Sequence, residues 1–140
     1  PSGTLSLDID QVKEEMIHRA QEVRQRAHAP YSGYKVGAAL LGASGKIYAA
    51  CNVENASYGL SVCAERNAFY KAISEGERDF HAIAVVTENG APPCGACLQV
   101  MAEFVPDFAK FTIILVDAQG NRKEYTLKDL LPYGFTPRLL

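Results

Sequence analysis

The sequence contains no dense run of lysine or arginine: 14 basic residues stand against 16 acidic ones, a formal net charge of -2. Without a positive stripe to neutralise phosphates, a polynucleotide partner is disfavoured. Uninterrupted apolar stretches are missing from the first 30 residues, which mix acids and bases at helical spacing. Neither a cleaved leader nor a membrane-spanning helix is expected there, and the default address is the cytosol. Seven prolines and eleven glycines are scattered rather than clustered, which argues against a low-complexity or disordered chain. With 140 residues, 48% of them hydrophobic, the chain fits one domain over 1–140, with no internal repeat and no linker.

Cysteine is sparse as well. The four, Cys51, Cys63, Cys94 and Cys97, would make two disulfides in a secreted protein, but no secretion signal accompanies them. In a reducing compartment a Cys-x-x-Cys is more often a metal or redox device than a bridge. For the same reason the tripeptide Asn55-Ala56-Ser57 is read as a chance glycosylation match.

What is present alternates. Val12, Met16, Ala20, Val23 and Ala27 recur at helical spacing and predict an amphipathic helix over 8–27. Strands are expected over 34–41 and 46–53, joined by the turn Gly42-Ala43-Ser44-Gly45 as a hairpin. A helix over 63–74, closed by Gly76, precedes a short apolar strand over 82–87. A helix over 94–104, strands over 111–116 and 122–126, and a short helix over 127–131 complete the order. Apolar strands alternating with covering helices predict an α/β fold: a three-layer α/β/α domain with a mixed five-stranded sheet.

Two of the expected helices begin with cysteine chemistry. Cys63 opens one, and Cys94 and Cys97 lie in the first turn of the other, where free N–H groups and the helix dipole favour thiolate over thiol. If the two helix starts meet, three thiolates can bind one Zn2+ tetrahedrally. Structural zinc takes four protein ligands, whereas catalytic zinc takes three, so three matched cysteines are informative. Cys51, in an apolar strand, reads better as a small buried hydrophobe than as a closing ligand. Glu65 is placed to act as a base beside the metal, provided that Cys63 and Glu65 straddle the helix start, since helical residues two apart do not face each other. Arg66 can donate to the sulfurs and offset their surplus charge.

Cys63-Ala64-Glu65 followed by Pro93-Cys94-Gly95-Ala96-Cys97 resembles the Cys-x-Glu and Pro-Cys-x-x-Cys pattern of the zinc deaminases. The stretches from Asn52 to Leu60, from Pro30 to Leu40, and Leu130-Leu131-Pro132 are similar to those of cytidine deaminases, so the resemblance covers about residues 10 to 137. It implies a small homotetrameric enzyme of pyrimidine salvage that hydrolyses cytidine or deoxycytidine to the uridine and ammonia. Cys63, Cys94 and Cys97 match the zinc ligands, and Glu65 matches the proton shuttle. The resemblance assigns Asn52 and Glu54 to the ribose, the Ala64 N–H to the pyrimidine O2, Tyr34 to base stacking where the family usually has Phe, and Phe135 to stacking in a neighbouring subunit's site. Tyr58 is placed among the substrate-binding residues, reaching across a subunit interface. One departure is Leu98-Gln99 after Cys97, where the family commonly has Arg-Gln. Two other readings remain: a deaminase of another cytosine-bearing small molecule such as a blasticidin-type antibiotic, and a non-catalytic structural zinc module.

Overall fold

The computed structural model describes residues 9–140. Five strands form one sheet in the order β2-β1-β3-β4-β5: β1 (Gly37–Gly42), β2 (Ile47–Cys51), β3 (Phe80–Val86), β4 (Thr112–Val116) and β5 (Arg122–Thr126). β1 runs antiparallel to both β2 and β3, β3 and β4 are parallel, and β5 is antiparallel to β4. The sheet is therefore mixed, as expected. The helices are α1 (Ile9–Arg24), α2 (Ala64–Ser74), α3 (Gly95–Phe104) and α4 (Leu127–Leu130). Among the described residues, no helix is long and apolar enough to cross a membrane.

Side chains alternate across a strand, so a strand covered on both faces reads as one apolar run. Ala39 and Leu41 of β1, Ala84 and Val86 of β3 and Ile114 and Val116 of β4 pack against Met16, Ile17 and Ala20 of α1. Their neighbours Ala38, Leu40, Ile83, Val85, Ile113 and Leu115 turn to the opposite face, under α2, α3 and α4. Three layers result.

The topology sets where the site must form. Because β1 is antiparallel to both of its neighbours, β2 and β3 run in the same direction. α2 follows β2 and α3 follows β3, so both helices begin at the same edge of the sheet, beyond the carboxyl ends of parallel strands. Phe69 of α2 locks the two helices together: its ring centroid lies 5.0 Å from Phe80, 6.0 Å from Phe104 at the end of α3 and 6.2 Å from Phe111. Each such aromatic pair contributes about 0.5–1.5 kcal/mol beyond simple burial.

Several ends differ from the sequence expectation. The first helix stops at Arg24 rather than residue 27, and Asp8, its expected first residue, lies outside the described residues. β1 begins at Gly37, not at Tyr34, because residues 34–36 are taken by a side chain instead of the ladder: Asn52 Nδ2 donates to the Tyr34 carbonyl at 2.8 Å and Asn52 Oδ1 accepts from the Val36 N–H at 2.9 Å. For the same reason β2 ends at Cys51 rather than at Val53. Gly37 lies directly beneath α1, where an added Cβ would stand 2.0 Å from the Ala20 carbonyl oxygen and 2.8 Å from Arg24 Cβ. Gly37→Ala is expected to lower stability by about 3 kcal/mol, the upper end for overpacking, since a helix backbone cannot yield as a side-chain tip can. Urea unfolding reads this as a lowered midpoint, and an unshifted midpoint would deny the close approach.

Candidate active site

Both helix starts place their cysteines as N-caps. Cys63 (φ -69°, ψ 154°) and Cys94 (φ -72°, ψ 168°) are extended, with Ala64 and Gly95 the first helical residues. Neither cap sulfur accepts a backbone N–H of its own helix, so both are free to meet other side chains. This also satisfies the condition set by the sequence: Cys63 stands outside the helix and Glu65 inside, so the two can approach one centre.

Cys63 Sγ lies 3.9 Å from Cys94 Sγ, Cys94 Sγ lies 3.5 Å from Cys97 Sγ, and the three sulfurs fall within 4.8 Å of one another. Three sulfurs at tetrahedral corners around zinc, each at about 2.3 Å, are separated by about 3.8 Å. The observed spacings bracket that value, so the residues present fit a zinc ion. Cys51 does not join the cluster. It ends β2 opposite Gly37 and is half-buried, less enclosed than expected, and its carbonyl accepts from Asn67 Nδ2 at 2.9 Å.

The electrostatics favour a thiolate at Cys63. Cys63 is held well below the usual thiol range, chiefly by the hydrogen bond it accepts from Cys97 and then by Arg66, whose Nη2 lies 3.4 Å from its sulfur. Cys97, buried and sharing that proton, is pushed up. Arg66 is held more firmly charged by its contact with Cys63, and its Nε is buried without a hydrogen-bond partner. Leu98, the departure from the arginine that the resemblance would have placed there, is buried in the core under the sheet. Its apolar side chain belongs to the packing of α3 and leaves Arg66 as the guanidinium in contact with sulfur.

A cleft of about 500 Å³ opens over Cys63 and Cys94, and Glu65, Arg66, Asn52, Glu54, Tyr34 and Tyr58 line it. Glu65 is 5% exposed, and burial pushes its carboxyl up to about 7, against the pull of its own backbone N–H; the charge of Cys63 adds to the rise. Glu54 is the opposite case. The Ser32 hydroxyl and the N–H groups of Tyr31 (3.0 Å) and Ser32 (3.1 Å) donate to its carboxylate, and the Ser32 bond chiefly holds it below the usual range. It is a fixed negative charge at the cleft wall. Ala64 is the first residue of α2, so its N–H has no acceptor within the helix. Tyr58 is 74% exposed and meets Tyr31 edge-on at 5.9 Å.

Phe135 does not reach this chain's own cleft. It is 57% exposed and fastened by Gln99 of α3, which donates to the Phe135 carbonyl at 2.8 Å and accepts its N–H at 2.9 Å. Sequence reasoning overlooked several residues that shape the site. Asn67 Nδ2 bridges the carbonyls of Cys51 and Val62 (2.9 and 3.4 Å), tying the end of β2 to the approach to Cys63. Thr87, 3% exposed, accepts the N–H groups of Gly90 and Ala91 and shapes the approach to Cys94. The Thr87-x-Asn89-Gly90 string carries a turn signal that could have marked this loop.

Comparison with known proteins places these features in a family. Residues 10–113 match the family described as the cytidine and deoxycytidylate deaminase zinc-binding region. A protein named cytidine deaminase from Halalkalibacterium halodurans is 51% identical over 123 residues, covering 86% of this chain and 92% of that one. Another of that name from Sporosarcina psychrophila is 45% identical over 125 residues, 88% and 90% of the two chains. The crystal structure of cytidine deaminase from Burkholderia pseudomallei superposes with a TM-score of 0.82 at 46% identity, over 87% of this chain and 98% of that one.

Proposed function

The chain belongs to the cytidine and deoxycytidylate deaminase family, and from that premise we propose that it catalyses zinc-dependent hydrolytic deamination of cytidine and deoxycytidine to uridine and deoxyuridine, with release of ammonia. The observation that carries the reading is the triangle of sulfurs opening into the same cleft as a buried carboxyl. Cys63, Cys94 and Cys97 hold one Zn2+, which supplies a Lewis acid that makes water nucleophilic near neutral pH.

The rest falls to the chain's own residues. Glu65 takes a proton from the water that adds to C4 of the pyrimidine and delivers it to N3. It then passes the second water proton to the amino group, which leaves as ammonia, and the C4 oxygen remains as the carbonyl of uridine. The first-turn N–H of Ala64 donates to the pyrimidine O2. Arg66 offsets the charge of three thiolates. The Tyr34 ring stacks on the base and Tyr58 closes the outer wall. Asn52, buried and tied to residues 34 and 36, bonds the ribose together with Glu54.

Glu54 also argues for nucleosides. An ionised carboxylate accepts a hydrogen bond from the 3′-hydroxyl and repels a phosphate at that position, which disfavours nucleic acid strands as well. The exposed ring of Phe135, pinned outside its own cleft, supports a homotetramer in which this residue completes a neighbour's site. The reading takes 1–140 as one catalytic domain acting in the cytosol. Ammonia release tests it: cytidine and deoxycytidine are expected to react, and cytidine 3′-phosphate and blasticidin are not. Equal rates with the 3′-phosphate would deny the role of Glu54, and no reaction with either nucleoside would overturn the function.

A further inference from the structure

Tyr34 carries a hydroxyl where a phenylalanine would serve for stacking, and that hydroxyl has a specific partner. Its oxygen lies 2.7 Å from Asn89 Oδ1, across 55 residues of sequence. The same amide oxygen accepts the N–H of Ala91 at 3.3 Å and lies 3.5 Å from the Thr87 hydroxyl. Because a backbone N–H can only donate, the Asn89 atom facing Ala91 is the oxygen, and the tyrosine hydroxyl must be the donor to it. The bond to Ala91 alone is an ordinary turn made by an asparagine two residues upstream. The reach to Tyr34 is not required by that turn.

The two ends of this link matter. Tyr34 lines the cleft, and its backbone is already held by Asn52, whose Nδ2 donates to the Tyr34 carbonyl, and by the Ser32 hydroxyl, which accepts its N–H at 3.0 Å. Asn89 sits in the loop that runs to Cys94, and its backbone bridges to Asp117 beyond β4. Gly90 (φ +71°) then turns the chain toward Ala91 and Pro92, which face the cleft. The residue is thus fixed at its backbone by Asn52 and Ser32 and at its hydroxyl by the loop leading to a zinc ligand.

We propose that Asn89 is a positioning residue for the deamination: by accepting the Tyr34 hydroxyl it holds the stacking ring at one orientation and sets the width of the cleft between Tyr34 and the Cys94 loop. The proposal rests on the deaminase reading and adds a residue to it. Tyr34→Phe keeps the ring and removes only the link, whereas Asn89→Ala removes the acceptor. Holding the ring in place lowers the ordering cost of binding, so the loss falls on affinity rather than on proton transfer.

The test uses the zinc-loaded full chain, with KM and kcat for cytidine and the Kd of uridine measured by calorimetry for wild type, both single variants and the double variant. Each single variant is expected to raise KM and the uridine Kd by about three- to tenfold, the range for one hydrogen bond, with kcat changed by no more than about twofold. The double variant is expected to be no weaker than Asn89→Ala alone, because that change also removes the Ala91 bond and, with the acceptor gone, the tyrosine hydroxyl has no shared bond left to lose. Unchanged KM and Kd in Tyr34→Phe, or a double variant whose effect is the product of the two singles, would overturn the proposal while leaving the deaminase reading intact. A wild-type chain that neither turns over cytidine nor binds uridine would remove the reading itself, and the proposal with it.

Discussion

Glu65→Gln is expected to lower kcat for cytidine by about 10²- to 10⁴-fold, the usual contribution of a positioned acid and base. The amide fills the same buried volume but cannot accept the proton of the attacking water or return it to N3. Glu65 is not one of the three sulfur ligands, so the variant should keep one zinc per chain. Its uridine Kd should also stay close to that of wild type, since the loss belongs to the transition state. Steady-state kinetics beside a metal count make the check. A turnover within tenfold of wild type would assign the proton transfers to another group, and a loss of zinc would make Glu65 part of the metal shell.

Removing a sulfur acts on a different step. Cys94→Ala leaves two of three ligands, and the expected result is a chain with little bound zinc and no measurable deamination. A metal that binds only the folded state stabilises it by about 4 kcal/mol when present at a thousand times its Kd. The melting temperature of wild type should therefore fall on chelation, while that of Cys94→Ala starts low and does not respond. Cys51→Ala is the matched control, expected to retain zinc and turnover because Cys51 lies outside the cluster. Full zinc occupancy in Cys94→Ala, or zinc loss in Cys51→Ala, would mean that the ligand set has been drawn wrongly.

The parts of this account that depend on local pattern were legible in the sequence. Alternation along β1, β3 and β4 with helices between them announced a sheet covered on both faces, and α1 takes one face while α2 and α3 take the other. The meeting of Cys63 with Cys94 was conditional at that level. It became necessary only once β2 and β3 proved parallel, which sends both helices out from one edge. What stayed hidden is non-local. The start of β1 moved because a side chain 16 or more residues away replaced the ladder, and Gly37 is pressed under α1. No periodicity predicts either. Likewise the enclosure of Glu54 by Ser32 and the Tyr34–Asn89 link join residues 22 and 55 apart, and each depends on loop paths that propensity does not specify.

Leu98 has a different meaning in the sequence and in the fold. At the sequence level its replacement of an arginine is a lost charge beside an anionic metal site. In the fold, position 98 is part of the apolar packing of α3, and Arg66 supplies the contact with sulfur. Charge compensation is left to the other helix.

X-ray absorption at the zinc edge of the purified chain counts the sulfurs around the metal. Three sulfurs at about 2.3 Å and one lighter scatterer at about 2.0 Å are expected. Four sulfurs would bring Cys51 into the shell, close the metal to water and contradict the enzymatic reading.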